Sequence, residues 1–177
     1  MSVKYYDWTA YHANVRAHKV AIVDLDNQHE TTYGELDARA AQLADWMQQQ
    51  GLGKGDRVAV LAPNCTETFE AQFACSKIGA ICLPLNWRLT VAELEYILND
   101  ATPSLLIVDT RFTQQADELL SLCSIAKRLD LEEQNRQTTY EQALANSSGN
   151  YTPVDSTHDD VAMIMYTSGT TGHPKGA

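Results

Sequence analysis

An alternation constrains this chain more than any other feature. Short apolar runs at residues 57–62, 80–83 and 104–109 are each separated by a segment with helical spacing. Strands that alternate with helices imply βαβ units and a largely parallel sheet. The expected class is therefore α/β. Residues 124–129 read as a weaker strand and residues 161–166 as the last one. In open α/β sheets ligands sit beyond the carboxyl ends of strands. A glycine-rich stretch follows directly on this last run.

The helices carry local start and stop signals. Thr32 and Glu35 form a Thr-x-x-Glu capping box, as do Thr90 and Glu93. After the first box, Leu36, Ala40, Leu43, Ala44 and Met47 follow helical spacing, and Gly51 closes the segment. Arg39 and Asp45 fall off that stripe and are expected to face solvent. A helix over residues 66–78 ends at Gly79, and further helices are expected through Leu98, over 112–123 and over 139–145. Near the N-terminus, residues 4–16 suit a short helix with Trp8 and Tyr11 as packing residues. Residues 19–24 and 29–33 suit a hairpin turning at Asp26-Asn27. Four segments follow within one domain: 1–55, an α/β core at 56–146, a polar linker at 147–160, and 161–177.

The net charge of −10 argues against a nucleic-acid surface, which needs a basic footprint. It gives no support to binding an anionic membrane. No run of about 18 apolar residues is present, so no transmembrane helix is expected. The N-terminus lacks the pattern of a signal peptide, which leaves a cytoplasmic protein as the expectation. Cys65, Cys75, Cys82 and Cys123 contain no C-x-x-C pair and read as free thiols. The five histidines show no ligand spacing, so no metal site is expected.

The stretch from Tyr166 to Gly176 contains three Thr, one Ser, three Gly and one Lys. Glycine lets an anion approach the backbone, and successive N–H groups in such turns make a positive concavity. The candidate phosphate-binding residues are Thr167, Ser168, Gly169, Thr170, Thr171, Gly172 and Lys175. The hydroxyls can hydrogen-bond phosphate oxygens, and Lys175 supplies a mobile point charge. A Walker A loop is excluded: counting on from Gly169, its second glycine would fall on Pro174, and Lys175 is followed by Gly176. Composition alone equally suits a polar, glycine-rich tail.

The order of the residues resembles the phosphate-binding signature of adenylate-forming enzymes, Tyr/Phe-Thr-Ser-Gly-Ser/Thr-Thr-Gly-x-Pro-Lys-Gly. Every fixed position is met from Tyr166 to Gly176. The resemblance extends upstream through Thr32-Tyr33-Gly34-Glu35-Leu36, Gly55-Asp56-Arg57-Val58-Ala59-Val60 and Lys77-Ile78-Gly79-Ala80 to Pro84-Leu85-Asn86. The continuation Trp87-Arg88-Leu89-Thr90 is more similar to acyl-CoA synthetases than to peptide-synthetase adenylation domains. Asn86 and Arg88 read as loop residues that fix the chain by hydrogen bonds, and Tyr166 as a packing residue at a strand end.

The resemblance implies an AMP-forming ligase. A carboxylic acid and ATP would give acyl-AMP and pyrophosphate, and coenzyme A would then take the acyl group, with Mg²⁺ assisting. The family's adenine, magnesium and ribose sites and its adenylation lysine lie downstream of this loop, so the resemblance implies an incomplete N-terminal part of the family's large domain, and no residue of this chain is expected to be catalytic. The 177-residue chain alone is expected to be inactive, and its open edge to favour self-association. Two alternatives stand beside this reading: a natural truncated binding or regulatory protein, and a portion of an aryl- or amino-acid adenylation enzyme.

Overall fold

A computed structural model describes residues 7–25, 28–132, 135, 137–167 and 174–177. Its centre is a four-stranded parallel sheet in the order β4-β3-β5-β6, formed by Arg57–Leu61 (β3), Ile81–Pro84 (β4), Leu105–Asp109 (β5) and Lys127–Leu131 (β6). Helices Thr66–Ile78 (α3), Val91–Ala101 (α4) and Thr113–Leu122 (α5) make the crossovers, and Thr139–Ala145 (α6) follows the last strand. The α/β class and the parallel sheet agree with the alternation in the sequence. The weak strand expected at 124–129 is shifted to Lys127–Leu131.

Side chains alternate across the sheet and build two cores. Val58, Val60, Leu105 and Ile107 face Ala71, Ala74 and Ile78 of α3. Ala59, Leu61, Leu106 and Val108 face Leu94, Ile97 and Leu98 of α4 together with Leu119 of α5. Both faces are covered, which is why β5 is buried at all five positions and reads as an unbroken apolar run. The chain first steps from β3 to β4, then reverses to β5 and β6. Crossovers of one hand must then change face at the reversal, as the division between α3 and the α4–α5 pair shows.

An N-terminal unit packs against this core. Trp8–Arg16 (α1) leads into an antiparallel hairpin of Val20–Asp24 (β1) and His29–Thr32 (β2), and then into the long helix Tyr33–Gln49 (α2). The turn at Asp26-Asn27 and residues 4–6 lie outside the described residues. Both capping boxes form: Thr32 with Glu35, and Thr90 with Glu93. The apolar stripe of α2 is buried as spaced.

Three expectations are corrected. In α1 the buried residue is Thr9; Trp8 and Tyr11 lie largely exposed beside His12, because α2 is reached through polar contacts instead. Thr9 Oγ1 donates to Asp37 at 2.7 Å, and the buried Lys77 ammonium holds both Asp7 at 2.9 Å and Asp37 at 2.6 Å. Arg39 does not face solvent: its guanidinium joins Glu70 of α3 and Glu141 of α6, and Tyr140 Oη donates to Glu70 at 2.8 Å. Nor does Asp45. Its carboxylate accepts the Ser148 and Gly149 amides at 2.9 and 3.0 Å and the Ser148 hydroxyl at 2.9 Å.

Residues 147–160 contain no helix or named strand, yet they are tied down along their length. Gln48 brackets Thr152, donating to its carbonyl at 2.8 Å and accepting its amide at 2.7 Å. The Val154 amide reaches the Lys77 carbonyl, and Lys54 pairs with Asp160 at 2.9 Å. Gly79, at φ +69°, lets this strap lie close. A Cβ there would sit 3.2 Å from both Lys54 Cγ and Val154 Cγ1. The four cysteines are free and buried.

Candidate phosphate-binding hairpin

The strap delivers the chain to the edge of β4. Cys82 N donates to the Ala162 carbonyl and Ile164 N to the Cys82 carbonyl, both at 3.0 Å, making a parallel bridge between Cys82 and Met163. The expected strand over 161–166 is therefore limited to this bridge. The cause is visible beyond it, where the chain leaves the sheet and pairs with itself. Tyr166–Thr167 (β7) and Lys175–Gly176 (β8) form an antiparallel ladder, Tyr166 opposite Gly176 and Thr167 opposite Lys175. Reciprocal bonds between Met165 and Ala177, at 2.9 and 3.0 Å, extend it. The root of the glycine-rich stretch is thus set by a hairpin, not by the carboxyl end of a sheet strand.

The hairpin brings together two of the candidate residues. Directly opposed residues in an antiparallel pair have Cβ atoms about 5 Å apart, so Thr167 and Lys175 are side-chain neighbours although eight positions separate them. Both are exposed. Among the described residues Lys175 has no ion-pair partner, which suits a cation kept for a ligand. Ser168, Gly169, Thr170, Thr171 and Gly172 lie outside the described residues.

Tyr166 anchors the base. It packs with Ile164 against the core on the α4 face, and its hydroxyl donates to the carboxylate of Asp100 in the last turn of α4. Burial, and then the carboxylate, push its phenol well above the ordinary range. Gly176 leaves close room across from it. A Cβ there would lie 3.0 Å from Ile164 Cγ2 and 3.1 Å from Tyr166 Cζ. The sequence marks Tyr166 as a packing residue but carries no signal for Asp100, which lies 66 positions away.

The loop after β4 behaves as read from the sequence. Asn86 Oδ1 accepts the Arg88 amide at 3.1 Å, and the Leu89 amide donates to the Asn86 carbonyl at 3.0 Å. The Arg88 guanidinium lies 4.0 Å from the centre of the Trp87 ring, which in turn packs near Phe112. Among the described residues no group of three or more His, Cys, Asp or Glu side chains converges as a metal site. No described helix is long and apolar enough to cross a membrane.

Known proteins are similar to this chain in sequence and fold. Feruloyl-CoA synthase from an Amycolatopsis species is 36% identical over 170 residues, covering 96% of this chain and 32% of its own. The 3-oxocholest-4-en-26-oate–CoA ligase of Rhodococcus rhodochrous is 36% identical over 155 residues, 83% of this chain and 28% of its own. The chain thus spans about a third of the length of such relatives. The crystal structure of the N-terminal domain of FACL13 from Mycobacterium tuberculosis superimposes with a TM-score of 0.86 at 30% identity, covering 98% of this chain and 44% of that one. Residues 9–177 match the AMP-binding enzyme family, and the chain belongs to it.

Proposed function

We propose that this chain is the N-terminal portion of an ATP-dependent, AMP-forming acyl-CoA synthetase acting in the cytoplasm. The observation that carries the reading is the Thr167–Lys175 pair at the root of a hairpin whose sequence is the family's phosphate signature. A carboxylate oxygen attacks the α-phosphorus of ATP, the bond to the bridging oxygen breaks, and pyrophosphate leaves. The thiol of coenzyme A then displaces AMP from the acyl carbon.

In this scheme Thr167, Ser168, Gly169, Thr170, Thr171, Gly172 and Lys175 cradle the outer phosphates and stabilise charge building on the leaving pyrophosphate. Preorganised donors aimed at developing charge are worth about 3 kcal/mol each. Lys175 acts as a point charge, since an ammonium lacks the planar fork of arginine. Among the described residues no cluster of three or more acidic, His or Cys side chains is placed to hold Mg²⁺.

The test is acid-dependent pyrophosphate release by the full-length gene product. The panel includes fatty, aryl, sterol-derived and amino acids, because the relatives' names span aryl and sterol acids. Lys175→Ala is expected to lower kcat/KM about 100-fold, and residues 1–177 alone to release none. Failure of every acid, or an unchanged rate in the lysine variant, overturns the proposal.

A further inference from the structure

We infer that Tyr166 and Asp100 form a clasp that positions the phosphate-binding pair Thr167–Lys175. The inference rests on the phosphate reading of the hairpin. β7 and β8 are two residues each and pair only with one another among the described strands. A two-stranded ribbon this short is not stable in water without packing on something larger. Here that packing comes from Ile164 and Tyr166, which lie against the core on the α4 face. The ring of Tyr166 lies against Gly176, where a Cβ would fall 3.1 Å from Cζ, and its hydroxyl is tied to Asp100 on α4.

Tyr166 is the residue immediately before Thr167, and Gly176 the one immediately after Lys175. The clasp therefore holds both strands at the positions adjoining the pair. It also connects the hairpin to α4, whose own apolar face is locked in the core through Leu94, Ile97 and Leu98. Asp100 is exposed, so its carboxylate is not needed to fill the interior. Its role is to accept the phenol proton and hold the ring's azimuth. Tyr166 and Asp100 are positioning residues: neither needs to touch phosphate.

The experiment uses residues 1–177, with inorganic pyrophosphate as the probe, followed by amide NMR at Thr167, Lys175 and Gly176. The comparison is between wild type, Tyr166→Phe and Asp100→Ala. Each variant is expected to bind pyrophosphate about three- to tenfold more weakly, the range for losing one ordinary hydrogen bond, because the Asp100 acceptor is exposed. The Met165 and Ala177 amides should exchange with solvent faster by a similar factor. The midpoint of thermal unfolding should stay within about 1 °C, since neither change touches the buried core. The double variant should be no worse than either single one, because one bond is removed in all three.

Variants that match wild type in both pyrophosphate affinity and amide exchange would overturn the clasp and leave the phosphate reading standing. A wild-type chain whose hairpin amides do not respond to pyrophosphate at all would overturn both. Weakened binding that only follows a loss of global stability would reduce the pair to ordinary packing, and the inference fails.

Discussion

Replacing Arg39 by methionine tests the polar junction of α2, α3 and α6. Glu70 has a side chain only 1% exposed, and Arg39 and Glu141 are 20% and 12% exposed. Met keeps most of the stem volume but leaves Glu70 with a single partner among the described residues, the Tyr140 hydroxyl at 2.8 Å. Breaking a buried pair from one side costs about 3–5 kcal/mol. Arg39 is partly hydrated, so the low end applies, about 3 kcal/mol near pH 7.5. The loss depends on pH with a definite sign. Burial raises the Glu70 pKa above its ordinary value, and the Arg39 hydrogen bond and charge oppose that rise. Without Arg39 the folded-state pKa climbs further. A carboxyl that binds its proton more tightly when folded makes stability fall as pH rises from the unfolded pKa through the folded one. The deficit of Arg39→Met should therefore shrink toward pH 5 and be full above the raised pKa. Urea unfolding of residues 1–177 at several pH values, followed by circular dichroism, reads it directly. Adding Glu70→Leu should recover about half of the loss or more, since an apolar replacement removes the stranded charge. A deficit under about 1 kcal/mol at pH 7.5, a deficit flat with pH, or no recovery in the double variant would refute the reasoning.

Two further predictions concern the strap. Asp45→Ala removes the acceptor of the Ser148 and Gly149 amides and should cost about 2 kcal/mol at neutral pH. Burial opposes ionisation of Asp45, but the Ser148 and Gln49 hydrogen bonds outweigh it and hold the carboxyl below its ordinary range. Its contribution is therefore present above the unfolded carboxylate pKa and lost as pH falls through the lowered one; urea midpoints of wild type and variant should converge in acid. Gly79→Ala combines a left-handed φ with a Cβ pressed against Lys54 and Val154. It should cost about 1–2 kcal/mol and lower the unfolding midpoint by a few degrees; an unchanged midpoint would show that the strap yields freely.

Much of the fold was legible locally because its signals are local. The capping boxes at Thr32 and Thr90 close within four residues, and the apolar runs of β3 and β5 announce strands buried on both faces. Spacing also identified the stripe of α2. It could not say what lies on the opposite side of that helix. Arg39 and Asp45 sit off the apolar stripe, yet their partners Glu70, Glu141 and Ser148 arrive from 31, 102 and 103 positions away. Polar residues become interior when such partners satisfy them, and helical period has no access to that. Residues 161–166 read as a strand because they are apolar, but pairing needs a neighbour, and beyond Ile164 the neighbour is the chain's own return at Lys175–Gly176.

The sequence by itself determined the α/β class and the family signature from Tyr166 to Gly176, because apolar period and residue order are properties of contiguous chain. Only the tertiary structure decided how the two ends of that signature are held. The register opposing Thr167 to Lys175 and the tie from Tyr166 to Asp100 depend on which surfaces meet once the two cores have packed.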